Sequence, residues 1–265
     1  EDTHLLAEEL TSRFAVDEND MVNVSVVCSG SAAKHGYMGM LNFSFYDPRR
    51  KLCRFKQAAR GGLGTILRDK KVKALVVKYK GITPNLNNAA DISTINKVGV
   101  KYHKEMHDLD SKQNKMRQIG TANTVMIMSQ YDLLPTRNFQ TGGDPETIKI
   151  SPQVFINEWL TQGLHDGCWY GCTMSCAKCA DHFLLTSGPY AGERVTVDGP
   201  EYECVAGLGA NLGIFDPQAI LEENFYCDTY GIDLISFATC TAFIMECYQR
   251  GQITQEQMGG LDLRF

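Results

Sequence analysis

Residues 167–179 read Gly-Cys-Trp-Tyr-Gly-Cys-Thr-Met-Ser-Cys-Ala-Lys-Cys, and they contain four of the ten cysteines of the chain. The four thiols belong to Cys168, Cys172, Cys176 and Cys179, and they are too dense to pair with one another as ordinary disulfides. Thiolates at this spacing can converge on an inorganic centre if the backbone coils around it, as it does in iron–sulfur proteins. The run therefore predicts an iron–sulfur centre and, with it, electron transfer.

Two other interpretations of the cysteine run stay open. A zinc site usually shows paired Cys-x2-Cys knuckles, and here only Cys176 and Cys179 have that spacing. The thiols could also carry no metal. A single iron–sulfur cluster normally needs four ligands, so the fourth would be Cys179 or a cysteine outside this segment.

Composition excludes several classes of function. The chain has 265 residues and a net charge of −5, and it shows no basic run with interleaved aromatic residues, so we expect no nucleic-acid partner. No uncharged stretch approaches the roughly 18 to 20 residues that span a bilayer, and residues 1–14 are acidic and amphipathic, unlike a signal peptide. The six other cysteines lie in apolar surroundings, which predicts buried thiols in a reducing, cytoplasmic compartment. Because the chain opens on Glu1, we expect it to be a segment of a longer protein.

The hydrophobic pattern predicts an α+β fold with a boundary near residue 80. Residues 1–80 are expected to be mixed α/β, with a glycine-rich loop leading into a short helix. Residues 81–265 are expected to form a mainly helical domain that carries the cysteine run. The predicted helices cover residues 2–14, 91–118, 123–131, 153–164, 204–209, 217–230, 236–249 and 254–259, and the predicted strands cover 22–28 and 74–77.

Other motifs offer weaker signals. Gly61, Gly62 and Gly64 would let the backbone approach an anion, with Arg60 beside it, although a tight structural turn explains the glycines equally well. Glu203 stands just before a small-residue helix, where it could accept a proton or simply favour the helix dipole. Asp228 and Asp233 could bind a polar ligand, but a solvated helix cap is the simpler interpretation. His103 and His107 share a helix face that we expect to be exposed.

Taken together and in this order, the motifs resemble the aldehyde ferredoxin oxidoreductase family of tungsten or molybdenum pterin enzymes. The resemblance rests on six landmarks, which span nearly the whole chain: residues 59–64 with 73–77, 134–142, the cysteine run, 199–203, 208–214, and Cys227-Asp228 with Gly231-Ile232-Asp233. It implies that residues 1–80 are the end of an N-terminal pterin-binding domain. Residues 81–265 would then be a helical domain that is incomplete at its C-terminal end.

The resemblance also implies cofactors and site residues. The cofactors would be a tungsten (or molybdenum) bis-pterin and a 4Fe–4S cluster. Glu203 matches a glutamate beside the metal. The implied pterin contacts are Lys56, Gln57, Ala59, Arg60, Asp228, Ile232 and Asp233, and the implied cluster ligands are Cys168, Cys172 and Cys176.

The chain departs from the family pattern at three places. The family usually has Cys-x2-Cys-x3-Cys, but its first cysteine position is occupied here by Trp169, and Cys168 is the natural substitute. Lys56 and Gln57 stand where the family often has Arg and Ala. Some members share a metal between subunits through Glu-x-x-His, whereas here Glu222 is followed by Phe225, so we expect no such bridge.

The implied reaction is the oxidation of an aldehyde to a carboxylic acid, with electrons passed to ferredoxin or to a partner iron–sulfur subunit. Glu203 would handle the proton, with a pKa tuned by burial. Side chains do not select tungsten over molybdenum, because the pterin sulfurs would hold the metal. The sequence is compatible with a homo-oligomer and with a heteromeric complex. The alternatives are an aromatic-thioester (benzoyl-CoA type) reductase subunit of the same family and a zinc-stabilised helical interaction module.

Overall fold

A computed structural model describes residues 2–79, 89–160, 166–168 and 171–265 of the chain. Its helices are α1 (Thr3–Phe14), α2 (Leu63–Asp69), α3 (Ile92–Lys112), α4 (Met116–Ile119), α5 (Thr124–Gln130), α6 (Pro152–Glu158), α7 (Tyr202–Cys204), α8 (Pro217–Tyr230) and α9 (Leu234–Gln249). Its strands are β1 (Val24–Ser29), β2 (Leu41–Asp47), β3 (Leu52–Ala59), β4 (Ala74–Lys78), β5 (Cys179–Leu184) and β6 (Arg194–Asp198). The α+β prediction is confirmed.

The first part of the chain is an antiparallel sheet covered by α1. Its strand order is β3-β2-β1-β4, and β1 alternates between buried and half-buried residues because successive side chains point to opposite faces. Val26 and Cys28 on β1 pack with Leu6 and Ala7 of α1 and with Phe55 of β3. One face of the sheet is therefore a closed core.

The second part is a helical layer built around the hairpin of β5 and β6. Phe183 of this hairpin is fully buried with Phe155 of α6, Val205, and Ile220 and Leu221 of α8. The helix that follows Cys204 continues as a π-helix over Val205–Gly209 and a 3₁₀ turn over Ala210–Leu212. In the described part of the chain no single helix is long and apolar enough to cross a membrane; one pair, Tyr202–Leu212 with Pro217–Tyr230, reaches that length and composition only jointly and is bent by 116°.

A network of buried ion pairs joins the sheet to the hairpin. The Arg54 side chain on β3 is 1% exposed, and it contacts the carboxylates of Asp47, Asp166 and Asp198. Arg50 contacts Asp47 at 2.8 Å, Asp166 at 3.3 Å and Asp181 at 2.6 Å. Since these acids lie on β2, on β5, on β6 and just before the cysteine run, the arginines fix the sheet against the second part of the molecule.

The predicted elements and the predicted burial of the cysteines differ from the structure at several places. The predicted helix 91–118 is divided into α3, which ends at Lys112, and α4, which begins at Met116. Cys247 is half-buried rather than buried. Strands β2, β3, β5 and β6 were not predicted. The predicted helix 254–259 is wrong, because residues 255–260 form turns that end in Gly259 and Gly260, both with positive φ. The predicted helix 153–164 ends at Glu158, and residues 161–165 lie outside the described part. Cys240 is exposed rather than buried. The boundary near residue 80 falls among residues 80–88, which are not described, so it stays a prediction.

Candidate functional site

The cysteine run forms a loop in which the thiols lie at different depths. Cys168 is exposed, Cys172 and Cys176 are half-buried, and Cys179 is buried in β5. The thiols of Cys168 and Cys172 are hydrogen-bonded to each other. Burial opposes ionisation of Cys172, but the backbone amides of Ser175, Cys168 and Met174 outweigh it and lower the pKa of this thiol. The loop thus favours a thiolate, which is the form of cysteine that binds metal.

The three implied cluster ligands lie near one another but do not form a closed set. Burial raises the pKa of Cys168 and of Cys176, and the charge of Cys172 adds to both shifts, so all three thiols are within electrostatic reach. Among the described residues no three His, Cys, Asp or Glu side chains are arranged to hold a metal ion. Trp169 lies outside the described residues.

Cys179 faces a different environment from the other three cysteines. Burial raises its pKa well above the usual range, and its charged neighbours are Asp198, Arg54, Arg50 and Asp181. All ten cysteines, which lie within the described residues, are free of disulfides. Cys179 is therefore part of the ion-pair network, and nothing in its surroundings favours it as the fourth ligand.

Strand β3 brings Lys56 to the cysteine loop. Burial disfavours the Lys56 ammonium, but the carboxylate of Asp198, 3.3 Å away, outweighs it and raises the pKa of Lys56. Burial alone would raise the pKa of Asp198, but Lys56 and Arg54 lower it to about 2. Lys56 also acts electrostatically on Cys168. The side chain is thus a fixed positive charge beside the thiols.

A cavity of about 710 Å³ opens between the sheet and the cysteine loop. Its walls include Phe43 and Phe45 from β2, Lys56 from β3, and Cys168 and Cys172 from the loop. A volume of this size is typical of small-molecule and cofactor sites.

The turn after β3 is tied to the start of α9. Lys56, Gln57 and Ala59 belong to the end of β3 rather than to the glycine loop. Arg60 forms an ion pair with Asp233 at 2.7 Å, and the amide of Gly61 donates to the same carboxylate at 3.2 Å. Burial opposes ionisation of Asp233, but these donors outweigh it and lower its pKa. Asp233 caps α9, yet it is 3% exposed, so the expectation of a solvated cap is wrong.

The pKa of Asp228 is shifted in the opposite direction to that of Asp233. Burial raises the pKa of its carboxyl well above the usual range, and the charge of Asp198 adds to the effect. Its Oδ1 atom is buried and has no hydrogen-bond partner among the described residues. The amide of Ile232 closes the turn after α8 by donating to the carbonyl of Cys227 at 2.7 Å. The structure thus brings Asp228, Ile232 and Asp233 into one turn opposite the end of β3.

Glu203 is exposed, whereas we expected it to be buried and its pKa to be shifted by that burial. Two positions earlier, Glu201 accepts a hydrogen bond from the hydroxyl of Thr121, and burial raises the pKa of Glu201. Glu201 also acts electrostatically on Cys176. Of the two acids, Glu201 is the one enclosed beside the cysteine loop.

The sequence analysis missed several residues of the site. Arg54 and Asp198 fix Lys56, and Lys178 donates from a buried ammonium to three carbonyls, those of Arg117, Ser175 and Ala177. Burial raises the pKa of Glu223 to about 7. The local sequence contained no signal for this arrangement, because Arg54 and Lys56, two positions apart, suggest an exposed strand face. His107 and His103 contact Thr173 of the cysteine loop, each at 3.2 Å.

The residues present fit a pterin better than they fit a completed cluster. The buried Oδ1 atom of Asp228 and the Nε2 atom of Gln57 lack partners among the described residues, and a buried polar atom without a partner is costly. A polar heterocycle carries donors and acceptors that would suit either atom. For the cluster, the chemistry of the donors fits, since three thiols share one loop, but their arrangement is not closed. Glu222 accepts hydrogen bonds from the amides and hydroxyls of Thr186 and Ser187, so its carboxylate is occupied within the fold.

Several known proteins are similar to this chain. The family model described as "Aldehyde ferredoxin oxidoreductase, domains 2 & 3" matches residues 97–265. A tungsten-containing aldehyde ferredoxin oxidoreductase of Pyrococcus horikoshii is 34% identical over 205 residues, which cover 77% of this chain and 31% of that protein. An aliphatic sulfonate oxidoreductase, WOR-like subunit, of Pyrococcus furiosus is 30% identical over 204 residues, which cover 76% of this chain and 30% of that protein.

A solved structure shares the fold. The active-site complex BamBC of benzoyl coenzyme A reductase, solved with 1,5-dienoyl-CoA, matches with a TM-score of 0.61 and 16% identity. The match covers 98% of this chain and 37% of that one. The chain therefore spans about a third of the length of the proteins that it matches.

Proposed function

The chain belongs to the aldehyde ferredoxin oxidoreductase family, and from this premise we propose that the protein oxidises aldehydes to carboxylic acids at a tungsten (or molybdenum) bis-pterin centre. One observation carries the proposal. Arg60 ties the end of β3 to Asp233 of the turn after α8, Lys56 of β3 lies beside Cys168, and buried polar atoms of Asp228 and Gln57 have no partner among the described residues. When bound, the pterin-held metal would accept two electrons and a 4Fe–4S cluster would relay them one at a time to ferredoxin or to a partner iron–sulfur subunit.

The chain's own residues would hold the pterin by hydrogen bonds. Asp228 would act as a neutral acid, because burial raises its pKa, and a neutral carboxyl can donate a hydrogen bond as well as accept one. Gln57 would offer its buried amide. Arg60, Ala59 and Ile232 would complete the contacts from the two facing turns.

Cys168, Cys172 and Cys176 would supply thiolates to the cluster. The backbone amides around Cys172 favour its ionised form, and Lys56 lies beside Cys168. A fixed positive charge next to the thiolates would favour the more negative, reduced state of the cluster. The free cysteines are consistent with a reducing, cytoplasmic compartment.

Glu203 would accept the proton released during oxidation. Its exposed side chain projects from the N-terminal end of the helix that contains Cys204, next to the enclosed Glu201. We expect Glu203→Gln to keep tungsten and iron while turnover falls by about 10²-fold or more, measured by aldehyde oxidation with a dye acceptor and by elemental analysis. Full activity with the metals retained would contradict the role of Glu203.

A second candidate is the reduction of an aromatic thioester, which the shared fold with the benzoyl coenzyme A reductase complex favours. A panel of aldehydes, an aliphatic sulfonate and an aromatic thioester would separate the reactions, since the sulfonate is named for another relative. Elemental analysis would exclude or support the zinc module: zinc without tungsten or iron in the full-length protein contradicts both enzymatic candidates.

A further inference from the structure

A second cavity, of about 540 Å³, lies where β1 ends. None of its lining residues belongs to the site described above. One wall is the segment after β1, and the other is the end of α2 with the connection to β4. The lining residues are Leu6, Ser29, Gly30, Ser31, Lys34, His35, Arg68, Lys71, Val72 and Lys73.

The lining of this cavity is strongly basic. Lys34, Arg68, Lys71 and Lys73 line it together with His35, and no Asp or Glu is among the lining residues in the described part of the chain, although the whole chain carries a net charge of −5. Arg68 forms an exposed ion pair with Asp69 at 2.6 Å. Exposed pairs of this kind are weak because water screens them. The cavity is therefore a local concentration of positive charge, which attracts anions.

The walls also offer hydrogen-bond donors. Ser29 and Ser31 also line the cavity, and the hydroxyl of Ser31 donates a hydrogen bond to the carboxylate of Asp2 at 3.5 Å. Hydroxyls beside ammonium and guanidinium groups are typical partners of phosphate oxygens. The cations come from two separate segments, 34–35 and 68–73, so they face the cavity from both walls. An anion that carries charge at more than one point would pair with cations on both walls.

We propose that this cavity binds a small molecule that carries two or more phosphate groups. Its volume falls in the range of about 300–1,000 Å³ that small-molecule pockets occupy, which is more than a single oxyanion needs. The proposal does not depend on the proposed function. The cavity nevertheless adjoins the pterin-site turn, because Gly30 packs against the backbone of Tyr230 and Gly231.

The test is calorimetric titration of the full-length protein with pyrophosphate, ADP and inorganic phosphate. We expect both diphosphates to bind at least about tenfold more tightly than phosphate at low ionic strength, because a second charged group reaches the other wall. We expect the affinity to fall several-fold between about 50 and about 300 mM salt, as screening increases. ADP and pyrophosphate distinguish a nucleotide from a free diphosphate.

Two neighbouring lysines provide a matched pair of variants. Lys71 lines the cavity and has a φ of 58°, a conformation that glycine adopts readily, so Lys71→Gly removes the charge without straining the backbone. Lys70 is exposed but does not line the cavity. We expect Lys71→Gly to weaken diphosphate binding at least about fivefold while the melting temperature is kept or raised, and Lys70→Gln to leave binding within about twofold. No diphosphate binding, or equal losses in the two variants, would overturn the proposal.

Discussion

Two aspartates of one turn differ in the charge that their surroundings favour. Asp228 and Asp233 are five positions apart, yet burial raises the pKa of the first while Arg60 and the amide of Gly61 overcome burial and lower the pKa of the second. The sequence placed both in a ligand-binding turn but gave no sign of this difference, because it depends on Arg60 reaching Asp233 across the molecule at 2.7 Å.

Asp228→Asn should stabilise the cofactor-free chain at neutral pH. Burial raises the pKa of the wild-type carboxyl, so the cost of keeping it protonated is absent below the ordinary carboxyl pKa near 4 and grows by up to about 1.4 kcal/mol for each pH unit up to the raised pKa. The amide avoids this cost. Thermal unfolding should therefore give a higher melting temperature for the variant at pH 7 and no difference near pH 4, with about 2–4 °C for each kcal/mol.

Asp233→Asn is the control with the opposite sign. The lowered pKa of Asp233 contributes stability above the ordinary carboxyl pKa, and this stability is lost as the pH falls through the lowered value. The variant should be less stable than the wild type at pH 7, and the difference should shrink in acid. The same pH trend in both variants would contradict the assignment of their charges.

At the scale of elements, the ion-pair network explains why four strands were missed. β1 and β4 are rich in valine and were predicted from their pattern, whereas β3 carries Arg54 and Lys56, which suggest exposure in a sequence. Both are enclosed only because Asp198 of β6 lies against them. β5 contains Asp181 and an irregularity between Ala180 and Phe183. Tertiary ion pairs thus override the local pattern that strand prediction uses.

Arg54→Met should be strongly destabilising, whereas Arg49→Met should not be. Removing Arg54 takes a buried cation away from Asp47, Asp166 and Asp198, and this costs about 3–5 kcal/mol even though Arg50 and Lys56 still pair with these acids. Arg49 contacts Asp47 and Asp166 as well, but its side chain is 45% exposed, so its loss should cost less than about 1 kcal/mol. Urea unfolding measures both, and similar losses would contradict the role of burial.

Two helical glycines should respond oppositely to a methyl group. A β-carbon on Gly64 of α2 would meet the backbone carbonyl of Met40, which cannot move aside, so Gly64→Ala should cost about 1–3 kcal/mol. Gly99 of α3 has open space around it, so Gly99→Ala should gain up to about 1 kcal/mol through helix propensity. Urea midpoints of the two variants should therefore move in opposite directions. A loss at Gly99 would mean that α3 packs against something there.

For the whole molecule, the resemblance assigned residues 56–60 and the turn after α8 to pterin contacts. The structure joins these two segments through Arg60 and Asp233, and Lys56 lies beside Cys168. Glu203 was expected to be buried, but its side chain is exposed. The chain spans about a third of the length of the relatives that it matches.

The metal content of the full-length protein tests this assembly. Cys172→Ser and Cys176→Ser should each remove the iron and the brown colour of a 4Fe–4S cluster, while tungsten stays, because the contacts of Asp228, Gln57 and Arg60 do not involve these thiols. Cys240→Ser is the matched control, since Cys240 is exposed on α9 and away from the loop, and it should keep iron and colour. Elemental analysis and visible spectra report both. If the loop variants lose zinc and not iron, the loop has a structural role and no role in electron transfer. Iron that persists in both loop variants would mean that other residues hold the cluster.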